Sequence, residues 1–192
     1  MNSVEGFCKM GMRSNKMDDI ELIEVSRQHE VQAMAYRQVF IDHGEMEING
    51  SGGLIEYENC DEWLANILAL KEKECSAVST PATTYFAVRK SDEKIIGSIQ
   101  LRHHLTEELK LDGGNVGYGI CPTERGKGYG VKQLSLVLEK AKALGLSKVM
   151  ISCSKDNRVS ARTAISNGGV LTGEGFDEDE GKVTEIYWID IE

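Results

Sequence analysis

The chain has 192 residues, enough for one domain with a substantial core. Its 41% hydrophobic and 28% charged content is that of an ordinary globular protein, and a net charge of −9 argues against a nucleic-acid or anionic-membrane surface as main partner. Five cysteines, odd in number and without CxxC spacing, suggest neither a disulfide framework nor a metal site, and fit a reducing cytoplasm.

Residues 1–17 lack the apolar stretch of a signal peptide and are expected to form a poorly ordered extension. A single domain is expected over 18–192, with no membrane-spanning run. "IELIEVS" (20–26) alternates apolar and acidic residues, as a strand does. Ser26 is placed to cap a helix with Val31, Met34, Ala35 and Val39 at helical spacing, ending at Gly44. An acidic, glycine-bearing loop follows over 45–60. A second helix starts at Asp61, with Trp63, Leu64, Ile67 and Leu68 on one stripe.

Residues 83–104 read as a hairpin turning at "SDEK", and "LTEELKLDGG" as a connection. "NVGYGIC" (115–121) reads as a strand stopped by Pro122. From Gly130 the pattern is helical, with Val131, Leu134, Leu138 and Ala141 on one face and Gly145 as terminator. "KVMISCS" (148–154) has the apolar, β-branched character of a strand inside a sheet. A short helix over 156–169 is capped by Asp156 or Asn157, and a last hairpin closes around "FDEDEGK". Hairpins mixed with βαβ units imply an α/β domain with a mixed sheet.

"GYGICPTERGKGYGVKQ" (117–133) holds five glycines where a strand gives way to a helix. A helix start presents unpaired N–H groups and the positive end of the macrodipole. Glycines before it let the backbone close around a ligand, so the segment suits a phosphate, with Arg125 and Lys127 adding positive charge. The Walker pattern fails, because Gly128 follows Lys127 in place of Ser or Thr. The dinucleotide pattern lacks its third glycine spacing. A nucleotide-binding domain of dinucleotide type is therefore the weaker alternative.

Arg125, Gly128 and Gly130 form R-x-x-G-x-G opening a helix after a strand. This resembles the acetyl-coenzyme A motif of the GNAT (GCN5-related) N-acetyltransferases. The element order from about residue 18 to 192 and the Asn-led helix "DNRVSARTAISNGG" are similar to that family too, including its bacterial predicted acetyltransferases. The resemblance implies the acyl-CoA N-acyltransferase fold, a central, mixed, splayed sheet flanked by helices, and acetyl-CoA as cosubstrate without a metal.

It also implies roles for particular residues. Ile120 and Cys121 would pair with the pantetheine arm. Arg125, Gly126, Lys127, Gly128, Tyr129 and Gly130 would hold the pyrophosphate, and Asn157 would contact the pantetheine region. The function implied is direct transfer of an acetyl group to a primary amine, on a small molecule or a side chain. The family's usual acid is a tyrosine seven residues after the asparagine, and here that position is Ala164. The departure keeps a non-catalytic acyl-CoA sensor as the alternative. Tyr118, on the face of Ile120, and His103, ending the neighbouring strand, are the catalytic candidates. Glu45, Glu47, Glu56, Glu58 and the acidic turn 177–180 would line the acceptor side. The apolar, aromatic "EIYWIDI" suggests burial against a neighbouring helix or in a homodimer.

Overall fold

The computed structural model describes residues 18–111, 113–177 and 181–191. The expected extension over 1–17 and the acidic turn's residues 178–180 lie outside the described residues. In chain order the elements are β1 (Ile20–Glu24), α1 (Glu30–Asp42), α2 (Cys60–Lys71), β2 (Ala82–Arg89) and β3 (Lys94–Arg102). Then come α3 (Glu107–Leu111), β4 (Val116–Ile120), α4 (Tyr129–Ala143), β5 (Lys148–Ser154), α5 (Arg158–Ser166), β6 (Val170–Asp177) and β7 (Lys182–Asp190). The expected order holds, with the one-turn α3 where a plain connection was expected.

Two sheets result, ordered β1-β2-β3-β4 and β5-β7-β6, and every ladder in them is antiparallel. Helices α1 and α2 bury Tyr36, Phe40, Trp63 and Ile67 against Phe86 of the first sheet. Helices α4 and α5 bury Leu134, Val137, Ala161 and Ala164 against Ile99, Val149, Ile151 and Tyr187.

The face of α1 departs from the expected stripe. Val31 is 80% exposed, whereas Ala33, Tyr36 and Phe40 are buried. The two rings stack edge-on with centroids 5.1 Å apart and bury more area than the β-branched residues chosen from spacing alone. In α2 the expected Trp63, Leu64 and Ile67 are buried, and Leu68 faces out. Strand β7 is the centre of its sheet, so "EIYWIDI" is apolar because both its edges and one full face are covered.

The sheets part between β4 and β5. At the closed end Asn115 holds both strands: its N–H donates to Met150 O (2.8 Å), and its Oδ1 accepts the Met150 N–H (2.9 Å). Its Nδ2 donates to Arg102 O on β3 (3.3 Å). Beyond Asn115 no ladder joins β4 to β5 among the described residues. β5, expected inside a sheet, therefore pairs along one edge only.

Candidate active site

Which main-chain groups face the gap follows from register. Arg102 N–H donates to Asn115 O, and Cys121 N–H donates to Ile96 O, both at 2.8 Å. Opposed residues that bond alternate along an antiparallel pair, so Asn115, Gly117, Gly119 and Cys121 bond to β3. Tyr118 and Ile120 turn their peptide groups toward β5. Ile120 O accepts from Arg125 Nε at 3.0 Å. The Ile120 N–H and both Tyr118 groups have no partner among the described residues.

The glycine-rich stretch has several distinct uses. Gly119 makes room for the α1–α2 loop, since a Cβ there would lie 2.9 Å from Asn49 O. Gly128 is the residue before α4 and has φ +86°, the left-handed region that glycine enters without strain. Gly130, where the helical pattern was expected to begin, belongs to the first turn of α4, where an added Cβ would touch Thr163 at an ordinary 3.6 Å. The N–H groups of Gly126, Lys127 and Gly128 have no partner among the described residues. The first N–H groups of α4 join them by helix geometry. A backbone anion cradle is therefore present at residues 126–130.

The basic side chains beside it are engaged elsewhere. Glu124 is buried under the turn and takes Arg89 (2.8 Å), Lys94 (3.0 Å) and Lys127 (2.8 Å). Burial alone would raise its carboxyl; hydrogen bonds from Lys127 and Lys94 and the charge of Arg89 outweigh that and hold it at about 2. Arg125 grips Glu45 with both terminal nitrogens at 2.7 Å. Tyr129 is buried among Ile20, Ala87 and Ile96, so only its backbone serves the cradle.

Cys121 is a correction to the sequence reading. Its N–H goes to Ile96, its carbonyl accepts from Glu124 N–H, and its thiol is buried beside Thr123 Oγ1. Both main-chain groups of Cys121 are thus engaged within the protein, whereas Tyr118 and Ile120 turn theirs toward the gap.

A cleft of about 580 Å³ runs through the gap. On the α4–α5 side its walls are Val116, Tyr118, Cys153, Asn157 and Ser160; on the other side they include Glu47, Asn49, Gly117, Ser154 and Thr184. Asn157 caps α5, its Oδ1 accepting from Ser160 N–H at 3.1 Å. Tyr118 Oη lies 2.7 Å from Ser160 Oγ and also donates to Ser160 O. Burial pushes the Tyr118 hydroxyl up to about 12, against a smaller opposing effect of Ser160. Ser160 stands one helical turn before Ala164, which is fully buried in the core. Thr184 lines the cleft's far face, and its Oγ1 is buried without a hydrogen-bond partner among the described residues.

His103 is not brought to the cleft. Its Nε2 pairs with Thr83 Oγ1 at 2.8 Å, and burial, then Lys71, lowers its pKa. Of the expected acceptor-side acids, Glu47 and Asp177 reach the cleft and Glu45 is held by Arg125. Asn115 reads only as the first residue of a strand and Thr184 as one residue of the last hairpin, so neither is singled out by spacing. Among the described residues, no group of three acidic, histidine or cysteine side chains could hold a metal ion, and no helix is long and apolar enough to cross a membrane.

The split sheet thus combines unpartnered strand groups at β4 with a helix-start anion cradle at residues 126–130. The acetyltransferase (GNAT) domain family matches residues 19–170, and the chain belongs to that family, which uses acetyl-CoA. Solved structures agree in fold. The ribosomal-protein-S5-alanine acetyltransferase of Vibrio fischeri is 18% identical at TM-score 0.68, covering 90% of this chain and 93% of its own. The spermidine/spermine N-acetyltransferase of Vibrio cholerae is 14% identical at 0.61, with coverages of 90% and 95%. A Salmonella typhimurium structure with its cofactor acetyl-CoA is 15% identical at 0.59, with 90% and 94%. No curated protein matches the sequence.

Proposed function

We propose that the protein is a cytoplasmic N-acetyltransferase that moves an acetyl group from acetyl-CoA directly to a primary amine. The observation that carries this reading is the cleft between β4 and β5, with Glu47 on its far wall, combined with the cradle of residues 126–130 at the start of α4. Acetyl-CoA would supply the activated acetyl thioester. The N–H groups of Gly126 to Gly130 suit its pyrophosphate. The peptide groups of Tyr118 and Ile120 suit its arm, in the manner of an added strand. The Ile120 N–H is placed to bond a carbonyl oxygen gaining charge.

Tyr118 fills the functional gap left by Ala164. Its hydroxyl stays protonated at neutral pH, so it donates rather than accepts a proton, and its contact with Ser160 sets it on the first turn of α5. On the far face, Glu47 suits an ammonium group. The solved relatives act on acceptors as different as a ribosomal-protein alanine and spermidine or spermine, so the amine class is as far as this reading goes.

Release of free thiol from acetyl-CoA, followed with spermidine, an aminoglycoside and a short peptide with a free N-terminus, tests the proposal. Turnover with one of them is expected. Tight acetyl-CoA binding with no turnover across amines would favour the sensor reading that Ala164 keeps open. In Tyr118→Phe, kcat should fall about 10²-fold while acetyl-CoA affinity holds. An unchanged kcat would remove Tyr118 from the mechanism.

A further inference from the structure

The motif arginine does not face the cradle it belongs to. From the turn before α4 its guanidinium reaches back across the end of β4 to the α1–α2 loop. Nε donates to Ile120 O at 3.0 Å, and the terminal nitrogens grip Glu45 Oε1 and Oε2, each at 2.7 Å. The guanidinium carbon stands 5.8 Å over the Phe40 ring at the end of α1. A forked pair seated on an aromatic ring has the geometry that only arginine supplies.

What this grip holds is the upstream end of the loop that forms the cleft's far wall. Two residues on, Glu47 lines the cleft, and Asn49 O lies over Gly119 and accepts from Ser98 Oγ at 3.0 Å. The downstream end is anchored separately. Ile48 is buried, Ser51 Oγ donates to Ile48 O, and Trp63 Nε1 donates to Ser51 O. Loss of the arginine contact would therefore loosen residues 45–49 without unfolding the loop.

We infer that Arg125 is a positioning residue for the acceptor: its pair with Glu45 holds Glu47 and Asn49 against the cleft, and the phosphate cradle is built from backbone alone. The inference rests on the proposed transferase reading, in which that face receives the amine. It makes the helix-start motif serve both substrates, its backbone one and its arginine side chain the other.

Arg125→Gln and Glu45→Gln break the pair from either side, and only the first removes charge from the motif. Each is measured by acetyl-CoA calorimetry, by hydrogen exchange over residues 45–50, and by kinetics with spermidine and an alanine-initiated hexapeptide. Both variants should keep the acetyl-CoA Kd within about twofold, speed exchange over 45–50, and raise the acceptor KM about fivefold at near-constant kcat, the scale of one half-exposed ion pair. Exchanging the two residues, Arg125→Glu with Glu45→Arg, should bring KM back toward the wild-type value.

A Kd about tenfold weaker in Arg125→Gln but not in Glu45→Gln would make the arginine a phosphate ligand and overturn the inference. Unchanged exchange over 45–50 would overturn it too. If wild-type protein bound no acetyl-CoA, the transferase reading would fall, while the exchange data would still decide whether the pair holds the loop.

Discussion

Asn115 decides where the sheets separate. It binds Met150 through both main-chain and side-chain atoms and ties the same point to Arg102. Replacing it with alanine leaves the buried Met150 N–H without a partner, a cost of roughly 1–3 kcal/mol. Urea unfolding of Asn115→Ala should show that loss, and acetyl-CoA affinity should fall with it, because the apex no longer fixes the width of the gap. Unchanged stability would mean that the strands are held elsewhere. The sequence carries this residue as the first letter of the strand "NVGYGIC", with nothing local to mark its side-chain role. Its partner lies 35 residues away, beyond the reach of any spacing argument. Tyr118 was visible from alternation along β4, whereas its Ser160 contact appears only when α5 is placed. His103 shared that legibility, yet the fold sets it beside Thr83 on the side of the sheet away from the acceptor loop.

The strand–turn–helix unit of β4 and α4 was the most readable element, since Pro122, the glycines and the helical stripe each mark a boundary. The charges within it were not readable. Arg125 and Lys127 look like phosphate ligands by proximity in sequence, but their side chains meet Glu45 and Glu124. Glu124, with three cations around it, pins the turn that presents the cradle. Its carboxyl, at about 2 in the fold against an ordinary 4.5, binds fewer protons folded than unfolded between those values. Its stabilisation is therefore complete above pH 4.5 and is lost as pH falls toward 2. The shift corresponds to about 3 kcal/mol at most. Glu124→Gln should lower stability at neutral pH and flatten its dependence over that acid range. A parallel pH profile in the variant would show that the cations are held by other groups.

For the whole molecule, element order joined the R-x-x-G-x-G motif and the Asn-led helix in pointing to the family, because hairpin, βαβ unit and final hairpin follow one another along the chain. The division into two antiparallel sheets was less visible, since strand composition does not say where a ladder stops. The aromatic last strand shows the same ambiguity: its sequence fits a subunit interface as well as a sheet centre, and the fold places it at the centre of β5-β7-β6.

A cleft between β4 and β5 with an acidic loop on one wall, together with a backbone cradle at the start of α4, is the central claim. It is tested most directly by thermal unfolding with acetyl-CoA, CoA, NAD and ATP in parallel. At 100 times its Kd a ligand adds about 2.7 kcal/mol, or roughly 5–10 °C for a chain of this size. The account predicts that shift with acetyl-CoA and CoA and none with NAD or ATP. A shift with NAD or ATP instead, or none with the coenzyme A forms, would contradict it.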